Sequence, residues 1–227
     1  MNVLQPGPHS ILVGGPRPKA RAVGVPVGGP ADAAALALGN ALLGNPADAV
    51  GLEIALAGPM LKAERSTAAV VFGAPFSVAI LGKETVPAGR TFTLAPGDTL
   101  GIGGTPTGAR GYLCVAGGFD SPAILGSRSA LDPIRAGDNL IAPESRCGRR
   151  SFGFATSAEA LGWEPGVLRA VDGPQRSWFA ADAFFGATYT VSPNGDRMGI
   201  RLVGEKLTRR PGELVSEAVA PGAVQIT

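Results

Sequence analysis

Between residues 68 and 115 the chain is a series of short apolar runs separated by turn-forming residues. The runs read AAVVFG, SVAIL, TFTLAPGDTLGIG and RGYLCVAGG, and their turns are Gly-Lys-Glu, Pro-Ala-Gly and Pro-Gly-Asp. Apolar runs of this length that are bounded by turns predict β-strands. Strands this short and evenly spaced are typical of a barrel or a sandwich. The pattern therefore predicts a mainly β fold with few, short helices.

The clearest helix signal covers residues 32–44. Asp32 is a good N-cap, the interior AAALALGNALL has high helix propensity, and Gly44 with the following Asn-Pro ends the helix. Leu36 and Leu43 are seven residues apart and give the helix an apolar stripe. The next residues, Asn-Pro-Ala-Asp at 45–48, have the composition of a second helix start, which predicts a brief second helix.

Glu53 lies inside the apolar segment LEIAL, which predicts a strand. As the polar position of an alternating strand, Glu53 would face water, and this interpretation is slightly favoured. As a buried group it would need partners and would become a binding or acid–base candidate with a raised pKa. The sequence leaves both interpretations open.

Towards the two ends the pattern is less regular. The first 30 residues are dense in Gly and Pro, and only 11–13 and 22–27 have the composition of strands. Residues 144–165 contain a candidate internal boundary in what we otherwise expect to be a single domain spanning 1–227. Beyond it the pattern predicts a short helix from 177 to 184, a strand at 188–191, a turn, an apolar strand from 200, and two final strands within 213–227.

Composition narrows the class of protein. Hydrophobic residues make up 45% of the 227 residues and charged residues 17%, which predicts a folded globular protein. The formal charge of +2 is too small to indicate nucleic acid or an anionic membrane as a partner. There is no disulfide framework among two cysteines and no apolar run near the roughly 20 residues that span a bilayer. We expect a soluble, cytoplasmic protein. His9 is the only histidine, which argues against a histidine-based metal site.

Two loops carry candidate binding chemistry. Asp196 and Arg197 follow the Asn-Gly turn that ends the 188–191 strand, and a carboxylate beside a guanidinium can position a polar substrate. The alternative is an ion-paired surface turn. Ser127 and Arg128 offer a hydroxyl and a guanidinium that suit a carboxylate or a phosphate, and the alternative there is a turn with an exposed arginine.

Four stretches in collinear order carry a family resemblance. They read GVPVGGPAD…LGNALLGNPADAVGLEIALAGP (24–59), ARGYLCVAGGFDSPAILGSRS (109–129), GPQRSWF…YTVSPNGDRMGIRL (173–202) and VSEAVAPGAVQ (215–225). The chain resembles the biotin-dependent carboxyltransferase family of KipA type. That family includes the C subunit of bacterial 5-oxoprolinase, the second subunit of allophanate hydrolase, and the A/B part of the urea carboxylase carboxyltransferase domain.

The resemblance implies a cyclophilin-like β-barrel with a smaller α+β subdomain, within one carboxyltransferase A/B-type domain. It implies a hetero-oligomer with a KipI-like subunit, to which 5-oxoprolinase adds a LamB/YcsF-like subunit. The implied activity is ATP-dependent opening of 5-oxoproline to glutamate, with ATP acting through the complex. In the carboxylase relatives the fold instead moves a carboxyl group between carboxybiotin and a urea-like amide. Residue type and motif position then nominate Asp196 and Arg197 as catalytic groups. On the same grounds they nominate substrate-binding groups, which are Asp32, Glu53, Ser127 and Arg128.

Three departures from the family pattern favour an alternative. The segment 11–17, ILVGGPR, lacks the Gln and Asp of the usual Thr-Val-Gln-Asp-x-Gly-Arg opening. A Gly-rich loop with further arginines is absent after Ser129, and the chain is short at its C-terminal end relative to the family. Each missing piece is polar and loop-borne. The alternative is therefore a non-catalytic, KipA-like regulatory module that binds a KipI-like partner.

Overall fold

Two antiparallel five-stranded sheets form the larger part of the fold. The computed structural model describes residues 1–152, 166–180, 182–195, 199–213 and 219–226. The chain divides into two compact units, Met1–Glu164 and Pro165–Thr227. The strands of the first unit are β1 (Asn2–Gln5), β2 (His9–Val13), β3 (Gly51–Ala55), β4 (Met60–Lys62), β5 (Thr67–Gly73), β6 (Val78–Ile80), β7 (Glu84–Val86), β8 (Phe92–Leu94), β9 (Thr99–Ile102) and β10 (Arg110–Val115).

The strand orders define two open sheets. The first sheet runs β1-β4-β9-β6-β7 and the second runs β2-β3-β10-β5-β8. Their facing side chains share one apolar core, whose fully buried members include Leu61 and Leu100 of the first sheet and Leu52, Ile54 and Leu113 of the second. Each such leucine contributes roughly 1.5–3 kcal/mol through burial. The predicted mainly β fold is confirmed, as a two-sheet sandwich whose sheets remain open.

The second sheet is covered on both faces. Its other face packs against the helix α1 (Ala33–Leu42), in a cluster that includes Leu36, Phe72, Tyr112 and Cys114. A sheet covered on both sides has strands that are buried at every position rather than at alternate ones. All five residues of β3 are accordingly buried. Glu53 therefore does not face water, and the favoured interpretation of that residue was wrong.

The α1 helix begins where the sequence indicates. Asp32 is its N-cap, and the Asp32 Oδ1 accepts a hydrogen bond from the Ala35 N–H at 2.9 Å. Residues 45–49, by contrast, form a turn instead of the second helix expected there. The buried Asn40 side chain stabilises that turn by donating to the Ala47 and Ala49 carbonyls at 3.3 and 2.9 Å. These bonds hold the segment in a compact loop that leads directly into β3.

Irregular segments run beside three of the four edge strands, β1, β2 and β8. Residues 129–141 run beside β2 and β1, with backbone bonds from Ala130 to Leu12, Ile134 to Ser10, and Leu140 to Met1. Residues 145–152 run beside β8, where the Thr91 N–H donates to the Arg150 carbonyl at 2.9 Å. Covered edges resist pairing with strands of other chains.

Two local expectations were wrong. Residues 22–27 were expected to be a strand, but a 3-10 helix spans Pro18–Val23. Gly24 ends that helix at φ 74, where its N–H donates to the Ala20 and Arg21 carbonyls. A single 3-10 turn, Arg176–Trp178, replaces the helix expected from 177 onward. Both errors arise where Pro and Gly make the turn chemistry stronger than the apolar pattern.

The second unit contains one β-hairpin among its described residues. Strand β11 (Tyr189–Val191) pairs with β12 (Leu202–Gly204), and the Ser192 N–H donates to the Arg201 carbonyl at 2.8 Å. The two predicted strands are therefore confirmed, at 189–191 and 202–204, while the expected turn between them includes residues 196–198, which lie outside the described part. Of the two strands expected near the end, residues 214–218 lie outside the described part, and the described residues 223–226 are not in a strand.

None of the helices in the described residues has the length and apolar character needed to cross a bilayer.

Candidate functional site

Glu53 is a fully buried carboxylate in the middle of β3. Its Oε2 accepts hydrogen bonds from the Ala31 N–H at 2.8 Å and from the Tyr112 hydroxyl at 3.1 Å. Its Oε1 lies 3.6 Å from Nη1 of Arg110, an ion pair just longer than a hydrogen bond. A buried carboxylate needs such partners, because desolvation otherwise disfavours its charge.

Tyr112 connects that carboxylate to the start of the helix. Its hydroxyl donates to Glu53 and accepts a hydrogen bond from the Asp32 N–H at 2.7 Å. Burial, reinforced by the negative charge of Glu53, raises the pKa of Tyr112 above its usual range. The phenol therefore stays protonated at physiological pH and acts towards Glu53 only as a donor.

The segment that enters the helix is anchored by consecutive side-chain contacts. The N–H groups of Gly29, Ala31 and Asp32 donate to Ser129 Oγ, Glu53 and Tyr112, at 3.0, 2.8 and 2.7 Å. Asp32 itself is exposed at the rim, while Glu53 lies beneath it. The structure therefore brings the predicted binding residues Asp32 and Glu53 together, through Tyr112 and the Ala31 backbone.

The strand register adds two more polar side chains. Ile11 of β2 and Tyr112 of β10 lie opposite Glu53, and one row further along His9 and Arg110 lie opposite Ala55. Residues two apart in a strand point to the same face, so His9, Glu53, Arg110 and Tyr112 share the face that α1 partly covers. His9 is half-buried and the Arg110 side chain is 30% exposed, so this row opens to solvent.

Sequence reasoning missed most of this site. Tyr112 and Arg110 were not singled out, and His9 was considered only as an argument against a histidine-based metal site. The sequence did contain one indication of these residues. Arg110 and Tyr112 alternate with Gly111 and Leu113 at the start of a strand. A polar residue at every second position, followed by an apolar run, indicates a strand that leaves the core at one end.

A second polar cluster holds three loops together around Arg17. This arginine is 2% exposed and donates through Nη1 to the Ile124 carbonyl at 3.3 Å and through Nη2 to the Ser129 carbonyl. Ser127 is also buried, and its hydroxyl donates to the Gly15 carbonyl while accepting from the Ser129 N–H. The Ser127 hydroxyl is thus engaged by the protein's own backbone.

Arg128 points the other way. Its side chain is 59% exposed and forms an ion pair with Asp120 at 3.4 Å. Ser127 and Arg128 therefore do not converge, although their predicted role in binding stays a prediction. The two predicted catalytic residues, Asp196 and Arg197, lie outside the described residues. Across the described ranges, no group of three or more His, Cys, Asp or Glu side chains could hold a metal ion.

The fold belongs to a recognised class of domain. The family whose model is described as "Carboxyltransferase domain, subdomain A and B" matches residues 23–227. The chain belongs to this family, and the resemblance in the four sequence stretches is confirmed.

Particular relatives fall into two groups. The chain is 31% identical over 240 residues to the C subunit of 5-oxoprolinase from Escherichia coli (strain K12), covering all of this chain and 76% of that protein. It is 28% identical over 229 residues to urea amidolyase of Saccharomyces cerevisiae, covering 91% of this chain but 12% of that protein. The crystal structure of TTHA0988 superposes with a TM-score of 0.74 at 32% identity, covering 94% of this chain and 81% of the other.

Proposed function

We propose that this chain is a subunit of an ATP-dependent amide hydrolase of the 5-oxoprolinase type, which opens 5-oxoproline to glutamate. The proposal rests first on the relative from Escherichia coli, a 5-oxoprolinase component that aligns with the whole chain. In the proposal the chain acts in the cytoplasm with a KipI-like subunit and with a LamB/YcsF-like subunit. ATP acts through the assembled complex and supplies the free energy of ring opening.

One observation carries the chemical part of the proposal. Arg110 reaches from the buried Glu53 carboxylate towards solvent at the end of the second sheet. Amide hydrolysis develops negative charge on the carbonyl oxygen, and a guanidinium held in place beforehand stabilises that charge without reorganisation. Glu53 and Tyr112 orient Arg110 and the helix start, so they act as positioning residues. Asp196 and Arg197 remain proposed catalytic groups from their motif position.

The test is reconstitution. The chain is combined with the KipI-like and LamB/YcsF-like subunits, and ATP-dependent release of glutamate from 5-oxoproline is followed. Arg110→Lys keeps the charge but loses the guanidinium, and we expect at least about a tenfold lower rate, roughly 1.4 kcal/mol. Arg149→Lys is the matched control, because Arg149 is 77% exposed and pairs only loosely with Glu84 at 3.9 Å.

The outcomes separate the alternatives. Absence of glutamate release by the wild-type complex would refute the hydrolase proposal. Tight binding to the KipI-like subunit without turnover would then support a regulatory module, which the departures in residues 11–17 also favour. Equal rates for Arg110→Lys and wild type would remove Arg110 from the site.

A second candidate function is a carboxyltransferase component that uses carboxybiotin and a urea-like substrate. The family match and the alignment with urea amidolyase support it. Its test is transfer of labelled carboxyl from carboxybiotin to urea in the presence of the chain. Transfer to urea without glutamate release from 5-oxoproline would favour this candidate over the hydrolase.

A further inference from the structure

Three residues from distant parts of the chain form a row at the open end of the second sheet. His9 of β2 and Arg110 of β10 pair with Ala55 of β3 from its two sides. Neighbouring strands lie about 4.8 Å apart, so the outer two backbones are separated by roughly 10 Å with only a methyl group between them. In this row the small side chain of Ala55 therefore lies between two larger polar side chains, His9 and Arg110.

Each of these two polar side chains has a buried nitrogen atom without a hydrogen-bond partner. Within the described part of the chain, neither His9 Nδ1 nor Arg110 Nη1 makes a hydrogen bond, although both atoms are inaccessible to solvent. Buried nitrogen atoms in native proteins are nearly always satisfied, so each unsatisfied one calls for an explanation, such as an ordered water, an ion or a functional role. The Glu53 carboxylate stands behind Arg110 at 3.6 Å and orients its guanidinium.

The backbone beside the row is strained. Leu56 follows Ala55 directly and has φ 63, a left-handed conformation that leucine rarely adopts. Its N–H donates to the Ala109 carbonyl at 3.0 Å, and its side chain is 62% exposed. This bond ties β3 to the residue preceding Arg110, so the strain is held at the entrance to the row. Observed strain of this kind occurs preferentially at binding sites.

We propose that His9, Ala55 and Arg110 form a subsite for the edge of a cis amide, as found in a lactam ring or a urea. Arg110 is a donor only and suits the carbonyl oxygen, while the unpartnered His9 Nδ1 suits the amide N–H as its acceptor. A cis amide presents both groups on one edge, which matches one donor beside one acceptor. This inference rests on the proposed function and assigns the substrate-recognition element of that site.

The single histidine makes the test direct. The imidazole resonances of His9, the only histidine of the sequence, are followed by NMR in the free chain. The chain is titrated with 2-pyrrolidinone and, as the matched probe, with N-methyl-2-pyrrolidinone, which lacks the N–H. We expect a saturable shift with the first probe and at least about tenfold weaker binding of the second.

Three variants complete the test. Arg110→Gln should abolish the saturable shift. Ala55→Val should weaken it, because the larger side chain would occupy the space between His9 and Arg110. Arg110→Lys, which keeps a positive charge near Glu53, replaces Arg110→Gln if that variant does not fold. Arg149→Lys should titrate like wild type. The proposal would be overturned if the His9 resonances did not shift or if both probes bound equally well. It would also be overturned if Arg149→Lys lost the shift as completely as the Arg110 variant.

The NMR test needs neither partner subunits nor ATP, so it is independent of the reconstitution. Selective titration without glutamate release would refute the proposed function and leave the amide subsite standing. Glutamate release without any probe-induced shift of the His9 resonances would refute the amide subsite and leave the proposed function standing.

Discussion

Replacement of Tyr112 by phenylalanine tests the network at the centre of the site. The hydroxyl donates to the Glu53 carboxylate at 3.1 Å and accepts from the Asp32 N–H at 2.7 Å. A hydrogen bond to a charged group contributes roughly 1.5–3 kcal/mol. Loss of the acceptor for Asp32 adds less than about 1 kcal/mol, because that residue is exposed and water can replace the hydroxyl. We therefore expect Tyr112→Phe to lower the free energy of unfolding by about 1.5–4 kcal/mol.

The assay is urea denaturation followed by far-UV circular dichroism, with the slope of the transition unchanged. Tyr189→Phe is the matched control, because within the described residues the Tyr189 hydroxyl makes no hydrogen bond. Its removal should change the free energy of unfolding by less than about 0.5 kcal/mol. Equal stability of Tyr112→Phe and wild type, or an equal loss in Tyr189→Phe, would refute the network.

The same residue predicts a dependence on alkaline pH. Burial, with Glu53 adding to it, holds the pKa of Tyr112 above that of a tyrosine in the unfolded chain, about 10. The unfolded chain therefore loses the proton first, and stability that is present below pH about 10 declines as pH rises further. Cys114, whose pKa burial raises to about 12, acts in the same direction. Tyr112→Phe should flatten this decline without removing it, and an unchanged slope would contradict the assignment.

Three further predictions follow from burial and packing. A thiol reagent should modify only Cys147 in the folded chain and also Cys114 in denaturant, because Cys114 is fully buried; two reactive thiols in the folded chain would contradict this. Gly39→Ala should destabilise the chain by up to about 2 kcal/mol despite the better helix propensity of alanine, since the new Cβ would lie 2.8 Å from Cys114 Sγ. A stabilised variant in urea denaturation would refute that close packing. Arg17→Lys should lower the free energy of unfolding by about 2–3 kcal/mol, and Arg128→Ala by less than about 0.5 kcal/mol. Similar losses of unfolding free energy in the two variants would show that the burial of Arg17 does not make it more important for stability than the exposed Arg128.

Local patterns were sufficient for much of the scaffold. The strands between 68 and 115, the Asp32 cap and the hairpin of β11 and β12 depend on neighbours within a few residues, and the structure contains all of them. The residues at 22–27 and 45–49 were predicted wrongly because the prediction there also used only short-range composition. Their apolar or capping composition was read correctly, but Gly24 and the buried Asn40 provide bonds that favour turns.

The site itself was only partly predictable. Asp32 and Glu53 were recognised by residue type and motif position, and the structure connects them through Tyr112. Glu53 was expected to face water because alternation was assumed for β3. That assumption fails because α1 covers the second face of the sheet, a contact between elements that no short window of sequence contains.

By itself the sequence determined the mainly β composition of the chain, the start of the helix α1 and the family, because short-range periodicity, capping and long collinear motifs encode these features. Only the tertiary structure decided that Glu53 is buried and that His9 and Arg110 flank Ala55. These facts depend on the antiparallel register of three strands that begin at residues 9, 51 and 110. Register is selected by burying one set of side chains across the whole sheet, and it therefore emerges only when the chain has folded.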